Sequence, residues 1–250
     1  MIFLHSIQDI FKIKTSCSIV AYVLTKLKET IRPGITTKYL DELAEDLTFD
    51  KGAIPGFKGY RGFPYSICAS VNEHVVHGFP SDRLLLDGDV LSIDFGILYN
   101  GWYGDSTITV PVGKVSATHK KLIKVTSNCL DLAIQQCYDG NRIGDISHTI
   151  QSCAEKEGFG VVKGFTGHGV GRNLHEDPPI PNFGNSGEGY MLKNGMVIAI
   201  EPMVTEGKPE VFVDNNGWEV ITKDKMVSVH FEHTIAVTRN GPFVLTERKC

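Results

Sequence analysis

No CxxC pair and no regular framework occurs among Cys17, Cys68, Cys129, Cys137, Cys153 and Cys250. Their irregular spacing argues against a disulfide scaffold and leaves free thiols in a reducing compartment as the expectation. Also missing is any stretch near the roughly 20 apolar residues that a membrane helix needs. The opening Met-Ile-Phe-Leu-His has neither the basic start nor the longer apolar run of a signal peptide. The sequence therefore suggests a cytoplasmic protein with no membrane partner. A strong excess of either charge is missing too: the formal net charge is -4, which argues against a general nucleic-acid binder. Lys12, Lys14, Lys26 and Lys28 form a small basic group, read as the solvated face of a helix. No tract is compositionally biased, and 42% hydrophobic with 22% charged residues is the balance of an ordinary globular chain. Its 250 residues can bury a core that needs no staples.

What is present is an internal repeat. The segment from Pro33, PGITTKYLDELAEDLTFDKGA, lines up with DGNRIGDISHTIQSCAEKEGF from Asp139, pairing Gly34 with Gly140 and Gly52 with Gly158. In each copy a Gly turn and a Thr or Asp cap precede an amphipathic run that a Gly ends, the start and stop signals of a helix. LLLDGDVLSID (84–94) then matches YMLKNGMVIAIE (190–201), setting Gly88 against Gly195 and Asp94 against Glu201. GDSTITV (104–110) matches FEHTIAV (231–237), setting Asp105 against Glu232. The spacing between copies widens before this third match, so the second half carries an insertion.

Two related halves, about 10–112 and 113–246, can pack around a pseudo-twofold axis as one catalytic domain spanning 1–250. The pattern predicts helices near 6–31, 36–51, 116–138 and 143–157. Strands are expected at 66–72, 88–98, 104–111, 161–167, 195–204, 210–213 and 228–238. The fold class is α+β: a curved, largely antiparallel sheet with helices on its outer face.

Asp94 and Glu201 end strand cores flanked by isoleucine, and a buried carboxylate is costly unless paired, hydrogen-bonded or metal-bound. Any one of these acids could cap a turn or pair with Arg or Lys. Four converging acids would repel one another unless cations neutralised them. With His168 in GHGVGR, the set suits two divalent ions such as Mn, Fe, Co or Zn. Two ions roughly 3.5–4 Å apart can share a bridging water and make it a hydroxide nucleophile. Asp94 would hold one ion, Asp105 and Glu232 would bridge, and His168 and Glu201 would complete the other. Glu201 is also the candidate proton shuttle. His77 in VVHGFP and His175 in NLHEDPP are candidates to hydrogen-bond a substrate amide and the oxyanion of a tetrahedral intermediate. His233 should point away from Glu232 along the strand. His5, His119 and His148 read as surface residues, and His74 has no assignment.

The runs GFKGYRGFPYSICASVNEHVVHGFP, IDFGILYNGWYGDST, GFTGHGVGRNLHEDP, IAIEPM and FEHTIAVT resemble the type I methionine aminopeptidases, of metallopeptidase family M24. The resemblance runs from about Ile10 to Thr246. It implies the pita-bread fold and removal of the initiator methionine from nascent polypeptides whose second residue is small. The implied metal ligands are Asp94, Asp105, His168, Glu201 and Glu232, with His77 and His175 on the substrate. It further implies a methionine pocket of Tyr60, Phe63, Cys68, Leu174 and Trp218, an apolar slot tolerant of sulfur. Cys68 would be a wall and not a nucleophile, because no partner base is evident. Leu174 departs from the frequent Phe, Tyr103 from a common His and His230 from the usual Gln. None of these removes a ligand, although fine specificity and metal preference could shift. The alternatives are a proline-directed peptidase, Xaa-Pro aminopeptidase or prolidase, on the same fold, and a catalytically idle relative that binds proteins. A monomer is expected, with peptide N-termini as partners and ribosome contact plausible for an enzyme that trims nascent chains.

Overall fold

The computed structural model describes residues 2–248. The first half runs α1 (Ile7–Thr30), α2 (Thr37–Asp50), β1 (Ile54–Pro55), β2 (Cys68–Val71), β3 (His74–Val76), β4 (Val90–Tyr99) and β5 (Trp102–Pro111). The second runs α3 (Ala117–Ile134), α4 (Ile143–Lys156), β6 (Gly160–Val161), β7 (Thr166–Gly169), β8 (Glu176–Pro181) and β9 (Val197–Ile200). It continues with β10 (Met203–Thr205), β11 (Val211–Val213), β12 (Val220–Thr222), β13 (Ser228–His230), β14 (His233–Thr238) and β15 (Gly241–Val244).

The helices start where side chains satisfy free N–H groups. Ser6 Oγ accepts from Asp9 N at 3.2 Å, Thr36 Oγ1 from Tyr39 N at 3.1 Å, and Ser116 Oγ from His119 N at 3.0 Å. At α4 the cap differs from the expected Thr or Asp. Arg142 stands there, and Asp145, one turn inside, reaches back to accept from Arg142 N at 2.8 Å. The repeat is visible in the backbone. Gly34 and Gly140 have φ of 91° and 98°, and Gly88 and Gly195 have 99° and 96°, values that favour glycine.

In the first half, β4 is central, pairing antiparallel with β1, β2 and β5. In the second, the antiparallel order is β15-β14-β9-β7-β8. Strand periodicity then sorts the side chains. Leu91, Ile93, Phe95 and Ile97 of β4 pack with Val20, Leu24, Leu27 and Leu40 of α1 and α2. Ile198, Ile200, Ile235 and Val237 pack with the apolar faces of α3 and α4. The alternate positions, including Asp94, Asp105 and Thr107, are left for the opposite face. Helices therefore cover one side, and the acids gather on the other.

The halves join at β5 and the start of β14. Glu232 N donates to Thr107 O at 3.1 Å, and Ser106 Oγ to Glu232 O at 2.7 Å. Thr234 Oγ1 donates to Asp105 O at 2.6 Å. A second junction pairs β3 with β12.

Several expectations need correction. β1, β3, β8, β12 and β15 lie outside the strands expected from sequence, and the stretches 161–167, 195–204 and 228–238 each divide into two short strands. His5 and His119 are half-buried rather than on the surface: His5 packs edge-on against Trp102, and His119 Nε2 lies 3.3 Å from Glu206. Lys14 is not simply solvated, since its Nζ donates to Leu245 O at 2.7 Å. Cys17, Cys68, Cys129, Cys137 and Cys153 are free thiols, and Cys250 lies outside the described residues. Among the described residues no helix is long and apolar enough to cross a membrane.

Candidate metal centre and substrate cleft

β4 and β5 turn through Asn100 and Gly101, whose φ values of 50° and 76° fit the two-residue hairpin that follows strand twist. The resulting register sets Asp94 opposite Thr107 and Gly96 opposite Asp105. A Cβ on Gly96 would lie 2.7 Å from Phe57 and 3.2 Å from Asp105 Oδ1. Glycine there leaves room for the carboxylate. His168 sits in β7, Glu201 directly follows β9, and Glu232 directly precedes β14.

Asp105, His168 and Glu232 are buried and offer ligand atoms within 4.8 Å of one another. His168 Nε2 is 3.8 Å from Asp105 Oδ2 and 3.5 Å from Glu201 Oε1. Thr107 Oγ1 lies 2.9 Å from both Asp94 Oδ1 and Glu232 Oε2. One hydroxyl proton cannot serve both oxygens at once, so one of the two carboxylates is left without that donor. Asp105 Oδ1 and Glu232 Oε1 are buried without a hydrogen-bond partner.

Burial, and then mutual repulsion, push the Asp105, Glu201 and Glu232 carboxyls well above the usual range. Asp94 is raised by burial as well. Burial draws His168 down to about 4, so its contacts with the acids are not ion pairs near neutral pH. Its Nδ1 lies 2.9 Å from Gly169 O and donates there, which turns the Nε2 lone pair toward the acids. Orphaned carboxylate oxygens and an oriented imidazole lone pair fit a divalent cation, and Asp94 and Glu201 adjoin the same space.

The acids floor a cleft of ≈ 320 Å³, which brings together all the expected residues: Tyr60, Phe63, Cys68, His77, Leu174, His175 and Trp218. Phe63 meets Trp218 edge-on at 5.1 Å between ring centroids. Burial raises the Cys68 thiol well above its usual pKa, which suits a wall and not a nucleophile. His77, at φ 60°, is drawn to about 4 by burial, and its ring meets Trp218 edge-on at 6.1 Å between ring centroids. His175, at the mouth, has Nδ1 2.8 Å from Tyr60 Oη and its ring against His168. Desolvation and the neighbouring His168 lower its pKa. His233 turns away, with Nδ1 2.8 Å from Thr246 Oγ1.

Sequence reasoning missed Phe57, Arg61, Phe165 and Met203 in the cleft. It also missed Asn182, whose side chain donates to Glu201 O at 3.0 Å, and the part played by Thr107. All but Asn182 lie within the runs that carry the resemblance, but the part each plays is set only by partners brought from elsewhere in the fold.

A cleft floored by buried acids and one oriented imidazole, on two joined antiparallel halves, is the architecture of a pita-bread metallopeptidase. Residues 12–239 match metallopeptidase family M24, and the chain belongs to that family. Within it the similarity lies on the methionine aminopeptidase branch. The chain is 51% identical over 228 residues to "Methionine aminopeptidase 1" of Bacillus subtilis, covering 91% of this chain and 92% of that one. The crystal structure of methionine aminopeptidase from Rickettsia prowazekii superposes with a TM-score of 0.97 at 39% identity, covering 99% of this chain and 100% of that one. A prolidase from Pyrococcus horikoshii shares the fold at a TM-score of 0.78, with 24% identity, covering 98% of this chain and 64% of that one.

Proposed function

We infer that this protein is a metal-dependent aminopeptidase that removes the initiator methionine from polypeptides whose second residue is small. The observation that carries this reading is the convergence of Asp105, His168 and Glu232 at the floor of an aromatic cleft. We propose Asp94, Asp105, His168, Glu201 and Glu232 as the residues that hold two divalent ions, Mn, Fe, Co or Zn. When bound, such ions supply Lewis acidity and lower the pKa of water toward neutrality.

The methionine side chain enters the slot of Tyr60, Phe63, Cys68, Leu174 and Trp218, where rings and sulfur suit a thioether. The Tyr60 hydroxyl, donating to His175 Nδ1, keeps the proton on Nε2, which then donates to the oxyanion. His77, in the same cleft, donates a hydrogen bond to the substrate amide. Glu201 takes a proton from the attacking water and delivers it to the departing amine.

The reading extends to organisation. Repeats 10–112 and 113–246 form one catalytic domain, since the residues assigned to the metals come from both. A cytoplasmic monomer acting on nascent chain N-termini, with ribosome contact, fits this chemistry. The test is to reload apoprotein with Mn, Co, Fe or Zn and compare Met-Ala-Ser, Met-Leu-Ser, Leu-Ala-Ser and Ala-Pro-Ser. Metal-dependent release of Met from Met-Ala-Ser alone is expected. Preference for Ala-Pro-Ser would move the protein to the proline-directed branch, and silence with every metal would make it a binding protein.

A further inference from the structure

His230 belongs to neither the slot nor the assigned ligands, yet it lies in the same buried layer. The residue is 2% exposed, and its Nε2 has no hydrogen-bond partner. Its backbone is clamped: Thr109 Oγ1 donates to His230 O at 2.6 Å, and β13 sets the residue opposite Met203. The ring is therefore not free to withdraw toward solvent.

Glu201 stands between two imidazoles. His168 Nε2 is 3.5 Å from Oε1, and His230 Nε2 is 3.5 Å from Oε2. The two rings are not equivalent. Gly169 O takes the His168 Nδ1–H, so the nitrogen facing Oε1 carries a lone pair suited to a cation. A second lone pair at Oε2, in a buried layer, would add repulsion to an already acidic site. An N–H at that place is attractive instead, and closing the gap by about 0.6 Å brings it within charge-assisted hydrogen-bond distance.

We propose that His230 is a positioning residue for the reaction: it carries its proton on Nε2 and donates to Glu201 Oε2. The donation fixes the carboxylate so that Oε1 faces His168 and the metal space. This rests on the assignment of Glu201 given above. An amide N–H in the same position can make the same donation, whereas an alkyl side chain cannot.

The experiment compares wild type, His230→Gln and His230→Leu. Mn²⁺ and Co²⁺ dissociation constants are measured by calorimetry on the apoproteins, with the Co²⁺ absorption spectrum and kinetics on Met-Ala-Ser. Partners that orient metal ligands are typically worth about 10–100-fold in affinity or activity. His230→Leu should lose that much in metal affinity and in kcat, with KM changed less than about threefold. His230→Gln should stay close to wild type in all three. Nitrogen-15 NMR of the imidazoles should show His230 protonated on Nε2 in both apo and loaded protein, which decides the matter even where a variant fails to fold. Wild-type metal affinity in folded His230→Leu overturns the proposal, and so does a metal-shifted, unprotonated Nε2. Failure of the wild type to bind metal would instead remove the assignment of Glu201.

Discussion

Thr107 Oγ1, in the first repeat, lies 2.9 Å from Glu232 Oε2, in the second, and the same hydroxyl lies 2.9 Å from Asp94 Oδ1. Its repeat counterpart, Thr234, spends its hydroxyl on the Asp105 carbonyl. One threonine thus orients acids while the other fastens backbone. Hydrogen bonds to charged groups contribute about 1.5–3 kcal/mol, so Thr107→Val should weaken metal binding by roughly 10- to 100-fold. Thr107→Ser keeps the hydroxyl and should stay within a few-fold. Calorimetric titration checks both, and equal affinity in Thr107→Val would leave the hydroxyl without a role at the metals.

The His175–Tyr60 pair makes a kinetic prediction. Removing an oxyanion donor typically costs about 10²–10³ in kcat. His175→Ala should fall by that much in kcat with KM little changed, and Tyr60→Phe should fall less, since the ring remains but its tautomer is released. Steady-state rates on Met-Ala-Ser separate the two parameters. A loss confined to KM would place His175 in ground-state binding alone.

Metal removal should reverse the response to acid. His77 and His230 are held to about 4 in the folded protein, below the ordinary 6.5. Their contribution to stability is present above 6.5 and is lost as pH falls toward 4. Asp105, Glu201 and Glu232 have the opposite sign. Their raised folded values give stability that is complete below the unfolded carboxylate range and is lost as pH rises. Bound cations hold these acids ionised and silence their titration. From pH 7.5 to 5.5 the loaded protein should therefore lose more Tm than the metal-free protein. Calorimetry with and without chelator checks it, and a steeper fall in the metal-free form would contradict the acid cluster's role.

Gly104 tests the packing behind the site. A Cβ there would lie 2.6 Å from Cys17 N and 2.8 Å from Ser16 C, both backbone atoms of α1. Overpacking of this kind costs about 1–3 kcal/mol, and a backbone neighbour leaves little room to relax. Gly104→Ala should lower stability in urea by at least that amount. An unchanged denaturation midpoint would show that α1 can shift without loss.

The helices were legible because each joins an apolar stripe to a capping residue, as Ser6 does for the stripe from Ile10 to Leu27. Tyr60, Phe63, Cys68, Leu174 and Trp218 of the cleft were legible through the resemblance to a known family, and Asp94, Asp105, Glu201 and Glu232 because they also recur in matched segments. β3 and β12 were not, since three-residue strands carry no period and exist only through each other. β8 reads as a proline-rich loop, EDPPIP. The hairpin turn was written plainly as Asn100-Gly101, and it carries β5 back to Trp102, two residues before the expected start. Thr107, Asn182 and His230 escaped for another reason: a hydroxyl, an amide or a ring acquires its role only when the fold brings a distant carboxylate to it.

The seam between β5 and β14 has a consequence for synthesis. Asp94 and Asp105 lie in the first repeat, whereas His168, Glu201 and Glu232 lie in the second, made later, and Leu245 of the second repeat accepts from Lys14 of the first helix. A partly translated chain therefore holds acids with no opposing partner and no finished floor. The candidate metal centre thus cannot assemble until the second repeat has been made, and the seam that joins the two halves also completes the site.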